Sequence, residues 1–183
     1  MKWFRAVFFF TNSVFRYPLD RFKKNKIHYS TRISSNSNIA RSRIGRYCYI
    51  ANNTNIVNTI IGNYCSIAPG VQIGGMEHSY WWLSMSTFLS DKCRANQRTI
   101  IEDDVWIAAG AVIRQGVTIG RGSVVGALSF VNRDVPPNTI VAGIPAKPIK
   151  ARLGHETFED LVSSEYWKFK PTRAKEILAQ IPL

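Results

Sequence analysis

Aliphatic side chains recur along the middle of this chain every sixth residue. Ile101, Ile107, Ile113, Ile119, Val125 and Val131 form one unbroken run. Ile44, Ile50 and Ile56 form an earlier one, and after a five-residue step Ile61, Ile67 and Ile73 form another, with Ile33 and Ile39 as an irregular first pair. Two positions before most of them sits a small or β-branched residue: Cys65, Val71, Val105, Ala111, Val117, Ser123 or Ser129. A period of six fits neither the 3.6-residue helix nor the two-residue alternation of a strand. It predicts a coil of flat faces, each a short strand and a turn, with the aliphatic pointing inward and the small residue filling the corner beside it. Asn52, Asn53, Asn63, Gly110, Gly120 and Gly122 suit the turns, because positive φ costs Gly and Asn least. Stacked coils bury a core that no single repeat buries alone. Sandwich strands recur at roughly 8–12 residues, so the six-residue run argues against that fold.

The repeat predicts an all-β chain: a parallel β-helix over 33–143 of about four triangular turns, with a basic aromatic segment, 1–32, before it and an extension, 144–183, after it. The count breaks after Ile73. The next on-register position is 79, yet the repeat resumes at Ile101, which makes 79–100 an inserted loop. The insertion follows Gly74-Gly75-Met76-Glu77-His78 and carries Tyr80, Trp81, Trp82, Met85, Phe88 and Leu89. That is too aromatic for a solvated linker, and it reads as an arm packing over a site or a neighbour. Beyond residue 155 the chain reads as helical, with Thr172 as cap of a short helix ending near Gln180 and with Trp167 and Phe169 docking it on the coils.

Charge changes the picture at one end. The net charge is +12, and residues 1–50 contribute eleven Lys and Arg against a single acid, Asp20. The longest apolar run there, Ala6–Phe10, is far too short to span a bilayer. The mixture suits an amphipathic helix on an anionic membrane surface through residues 1–26, or one docked on a neighbouring subunit. No nucleic-acid motif accompanies the bases. Three cysteines, Cys48, Cys65 and Cys93, without a close pair argue against a disulfide framework and suit a reducing cytoplasm, with the inner membrane surface as a peripheral station.

Longer motifs carry a resemblance. IGNYCSIAPGVQIGG at 61–75 with His78 beyond it, IEDDVWIAAGAVIRQGVTIGRGSVVGALSFVNRDVPPNTIVAGIPAKPIKARL at 101–153, and YWKFKPTRAKEIL at 166–178 resemble hexapeptide-repeat acyltransferases. Within them they resemble the xenobiotic branch, which takes in streptogramin, chloramphenicol and sugar or polysaccharide acetyltransferases. The resemblance implies left-handed coils, a homotrimer with its sites between subunits, and acetyl-CoA as donor. Ala108, Leu128 and Ile144 depart from the family pattern.

The resemblance makes His78 the general base, and imidazole suits removal of a proton from a hydroxyl or amine near neutral pH. Glu77 reads as a surface acid, because neighbours on an extended chain point apart. Trp106, Ala109, Gly110 and Ala127 would line the pantetheine, and Lys147, Lys150 and Arg152 would meet the phosphates. Cys48 and Cys65 fall in the inward small series, so transfer is expected to be direct. The expected acceptor is a sugar, with a surface polysaccharide or its precursor ahead of an antibiotic. A non-enzymatic membrane- or polyanion-binding scaffold is the rival outside catalysis. Three histidines, two of them outside the coils, make a poor zinc carbonic anhydrase, and no metal is expected.

Overall fold

The computed structural model describes residues 24–86, 88–89 and 96–182. The chain winds into a three-sided parallel β-solenoid. Coil 1 comprises β1 (Lys26–Ile27), β2 (Arg32–Ile33) and β3 (Asn38–Ala40), and coil 2 comprises β4 (Arg43–Ile44), β5 (Tyr49–Ile50) and β6 (Asn55–Val57). Coil 3 has β7 (Thr59–Ile61), β8 (Ser66–Ile67) and β9 (Gln72–Gly74), and coil 4 has β10 (Thr99–Ile101), β11 (Trp106–Ile107) and β12 (Val112–Ile113). Coil 5 has β13 (Thr118–Ile119), β14 (Val124–Val125) and β15 (Phe130–Val131). A hairpin of β16 (Thr139–Gly143) and β17 (Ala146–Ala151), paired antiparallel, closes the stack.

Corresponding strands of successive coils form three faces. Face A is β1-β4-β7-β10-β13, face B runs from β2 through β5, β8, β11, β14 and β16 to β17, and face C is β3-β6-β9-β12-β15. The repeating aliphatics point inward: Ile50, Ile56, Ile67, Ile73, Ile107 and Ile119 are wholly buried. Cys65, Val71 and Ala111 fill the corners beside them.

The prism begins earlier than the sequence pattern suggests. Lys26–Ile27 pairs with Arg43–Ile44, so residues 26–32 belong to the first coil and five coils stand where about four were expected. The reason is a shorter turn. Ile27, Ile44 and Ile61 stack at intervals of 17, whereas Ile101 and Ile119 stack at 18. The five-residue steps at Ile39–Ile44 and Ile56–Ile61 are one tightened corner repeated, with Arg41 and Asn58 at positive φ (52° and 50°). The insertion leaves after β9 and returns at β10, spanning 75–98 in place of 79–100.

Helix α1 (His155–Ser164), a single turn of 3-10 helix (Tyr166–Lys168) and helix α2 (Pro171–Leu178) follow the hairpin. Pro171 opens α2, where its missing N–H costs nothing, and Lys170 is the N-cap. Thr172 therefore lies inside the helix and does not cap it. Leu161, Tyr166, Trp167 and Ala174 form a second small core with Tyr64 and Phe158. Trp167 is buried there as expected. Phe169 stays partly exposed and contributes its carbonyl, which accepts the Tyr64 hydroxyl at 2.9 Å.

Candidate active site

Three corners join the faces, and each carries one structural task. The corner between faces A and B docks the C-terminal helices. Tyr47, Tyr64 and Tyr166 stack there with ring centroids 5.1 and 5.9 Å apart. Arg121 lies 4.1 Å over the Trp167 ring and pairs with Asp103 at 3.3 Å.

The corner between faces B and C is narrow. Asn36, Asn53, Gly70, Gly110 and Leu128 occupy one column, all at positive φ. Leu128 is the only aliphatic among them, 71% exposed, and its Cδ2 would meet a Cβ on Gly110 at 2.7 Å. Its φ of +68° favours glycine at 110, and the exposed Leu128 side chain leans over it. The Leu128 N–H donates to the Ala109 carbonyl at 2.9 Å, fixing the spacing of the two coils. Ala109 and Ala127 are exposed on this corner, and Trp106, half-exposed on face B, stands beside it.

The hairpin extends face B. Trp106, Val124, Ile140 and Lys150 are successive partners across the sheet, roughly 14 Å at about 4.8 Å per strand. A register shift between Ile140 and Val141 sets Lys147 opposite Ala142 and Lys150 opposite Ile140. Residues three apart on a regular strand face opposite ways; here both lysines share the outward side. Arg152 is placed differently. Its Nη2 lies 3.2 Å from Asp104 Oδ2 and its guanidinium covers Gly122, so it ties the hairpin to the helix-docking corner. Trp106, Ala109, Gly110, Ala127, Lys147 and Lys150 form one strip; Arg152 faces away from it. Two outward cations at the end of an apolar strip fit the phosphates and pantetheine of a coenzyme A thioester.

The corner between faces C and A carries the arm. His78 lies at its foot, exposed to solvent and outside the prism. Next to it, Glu77 accepts two hydrogen bonds from Arg114, Nε to Oε1 at 2.7 Å and Nη2 to Oε2 at 2.9 Å. Sequence reasoning treats Glu77 as a plain surface acid and passes over Arg114. A signal existed: Ile73 and Ile113 are partners in face C, so Arg114 follows β12 where the arm follows β9. The returning end of the arm is held too. Asn58 Nδ2 donates to Asn96 Oδ1 at 3.0 Å, and the Gln97 N–H donates to Gln115 Oε1 at 3.1 Å. Both feet of the arm are therefore fixed to the same corner. Within one chain, face C of coil 4 lies between this corner and Ala109–Gly110.

Cys48 and Cys65 are buried, free thiols. Burial raises the Cys65 thiol well above its ordinary range, and its Sγ donates to the Glu102 carbonyl at 2.9 Å. Both sit in the packed core of the prism. Cys93 lies outside the described residues, as does 1–23, the bulk of the segment expected to touch membrane. Among the described residues no His, Cys, Asp and Glu group is arranged to hold a metal, and no helix is long and apolar enough to cross a membrane.

The bacterial transferase hexapeptide (six repeats) family model matches residues 98–133. A hexapeptide-repeat containing acetyltransferase of Vibrio cholerae O1 biovar eltor, solved with acetyl coenzyme A, is 32% identical and superposes with a TM-score of 0.67 over 77% of this chain and 78% of that one. A chloramphenicol acetyltransferase of Klebsiella aerogenes is 34% identical over 122 residues, 61% of this chain and 58% of that protein. A 2,3,4,5-tetrahydropyridine-2,6-dicarboxylate N-acetyltransferase of Staphylococcus aureus (strain bovine RF122 / ET3-1) is 59% identical over 66 residues, 36% of this chain and 28% of that protein. The chain spans a little over half the length of the chloramphenicol acetyltransferases it matches.

Proposed function

The chain belongs to the hexapeptide-repeat acetyltransferase family, and from that premise we propose that it transfers an acetyl group from acetyl-CoA directly to a hydroxyl of a sugar, with His78 as general base. The observation that carries this reading is the exposed imidazole at the foot of an arm whose neighbouring residue, Glu77, is gripped by Arg114. A base must be presented to solvent-borne substrate yet held still, and that arrangement meets both needs. When bound, acetyl-CoA supplies the activated acyl group. The chain's own residues do the rest. Lys147 and Lys150 bind its phosphates, Trp106, Ala109, Gly110 and Ala127 line the thiol-bearing arm, and His78 Nδ1 or Nε2 takes the acceptor proton. The carbonyl carbon then bonds to the acceptor oxygen as the thioester C–S bond breaks, and the proton leaves with the thiolate.

In the single chain, face C separates His78 from the corner at Gly110. A second copy seated against that face would bring one copy's imidazole to the other's strip. That supports a homotrimer with shared sites, and sedimentation equilibrium tests it. The buried free thiols suit a cytoplasmic enzyme. The basic aromatic residues 1–23 favour a peripheral seat on the inner membrane surface, which deletion of 1–23 followed by vesicle flotation tests.

The deciding experiment is thiol release from acetyl-CoA against a panel of sugars, chloramphenicol and amines. His78→Ala is expected to lower turnover by roughly 10²–10⁴-fold with acetyl-CoA binding kept. Turnover near the parent level would remove His78 from the mechanism. Chloramphenicol outperforming every sugar would replace the acceptor.

A further inference from the structure

The corner between faces C and A, which carries the arm, is basic at its N-terminal end. Lys24 and Arg41 occupy the same corner position of coils 1 and 2, both exposed and both at positive φ (55° and 52°). Two residues on, Lys26 and Arg43 are direct partners across face A, both exposed. These four cations make a two-by-two array with neighbours about 5 Å apart across the ladder. Arg98, exposed where the arm returns to β10, lies two coils further along the column of Arg41, beyond Asn58. Among the described residues none of the five has an ion pair, and residues 24–50 contain no acid. The acids of this corner are already engaged: Glu77 by Arg114, and Asp134 by the Thr118 N–H at 2.8 Å.

Like charges set directly opposite on a ladder destabilise it. Among the described residues none offsets Lys26 beside Arg43, so a ligand is the natural counter-charge. The donor's phosphates do not fill this place. Their cations, Lys147 and Lys150, lie past coil 5 on face B, at the opposite end of the stack. The array spans coils 1 and 2, and together with coil 3, from which the arm bearing His78 departs, this side of the stack extends about 10 Å across the ladder. That is longer than one sugar ring.

We propose that Lys24, Lys26, Arg41 and Arg43 form an acceptor subsite, and that the acceptor is an anionic oligosaccharide lying along this ridge with its reacting hydroxyl at His78. The inference rests on the acetyltransferase reading. It adds that the acceptor carries carboxylate, sulfate or phosphate charge on sugars beyond the one acetylated.

The test uses the full chain with a fluorescent hexuronic acid hexasaccharide, a neutral glucose hexasaccharide of equal length, and phosphatidylglycerol vesicles. The charged oligomer is expected to bind at least about tenfold more tightly than the neutral one, and less tightly as salt rises. Lys26→Ala/Arg43→Ala is expected to raise its Kd, and the KM for a charged acceptor, about tenfold. Turnover at saturation and the KM for acetyl-CoA should stay within about twofold, and Lys26→Arg/Arg43→Lys should restore binding. Equal binding of the two oligomers, or a double alanine variant that binds like the parent, overturns the proposal. So does binding confined to vesicles. Equal acetylation of charged and neutral acceptors removes the ridge but leaves the enzyme standing. Charge-dependent binding without thiol release from any acceptor removes the enzyme reading, and the acceptor role of the ridge falls with it.

Discussion

A side chain that presents a base to solvent has little packing to hold it, and at His78 the restraint comes from the residue beside it. The Glu77–Arg114 pair is bidentate but about 30% exposed on both sides (31% and 28%). A pair so placed stabilises the fold by about 0.5–1 kcal/mol. The same pair fixes the backbone from which the imidazole projects, and a displacement of about 1 Å at a reacting group can cost about 100-fold in rate. The two magnitudes separate the roles. Glu77→Gln is expected to move the denaturation midpoint little yet lower kcat about tenfold, with the acceptor KM nearly unchanged. The exchange Glu77→Arg/Arg114→Glu should recover part of that loss. A kcat equal to the parent's in Glu77→Gln would make the pair a surface contact only. This is also where the sequence alone runs out. Alternation along an extended chain turns Glu77 away from His78, but it cannot say what Glu77 meets. The partner lies 37 residues on, across the insertion. The register break marks where the arm begins, but the role expected of His78 comes from the family resemblance alone.

At the scale of elements, most strands were readable, and so was the burial of Trp167 under the C-terminal helices. The strands from β2 to β15 follow from an aliphatic with its small neighbour, whereas the helices are fixed by a polar network that no period encodes. Tyr166 lies against Asp104, which pairs with Arg152 from the hairpin, so one corner ties coil 4, the hairpin and the α1–α2 segment together. Burial and the adjacent carboxylate push the Tyr166 phenol above its ordinary value of 10.0. A phenol raised in the folded state stabilises docking fully below its unfolded ionisation. That contribution fades as pH climbs from there through the folded value. Docking should therefore loosen above about pH 10, read as a fall in the urea midpoint followed by Trp167 fluorescence. Tyr166→Phe should start less stable and lose less between about pH 9 and 11. Parallel pH curves for the two proteins would show that the phenol's ionisation is not linked to docking. Thr172 illustrates the same limit: a hydroxyl after a proline reads as a cap, but the chain enters α2 at Lys170, and Pro171 already supplies the first-turn φ.

For the molecule as a whole, stacking decides both stability and where chemistry can sit. Each coil touches only the coils above and below it, so an inward side chain is supported in proportion to the number of neighbouring layers. Ile107, in coil 4, is wholly buried between Ile67 and Val125, its partners in β8 and β14. Ile33, in coil 1, has Ile50 on one side and stays partly exposed. The count of coils was underestimated because the 17-residue turns of the N-terminal half hide their period behind a five-residue step. That half is also where the bases are densest. The middle of the stack carries the arm and the narrow corner, so it must be rigid. The first coil carries charge and tolerates a looser core. Ile107→Ala should cost about 2–5 kcal/mol in urea unfolding, the range for a buried aliphatic that leaves a cavity. Ile33→Ala, at a site that water already reaches, should cost about 1 kcal/mol. Equal losses at the two positions would mean that coil 1 is covered as fully as coil 4.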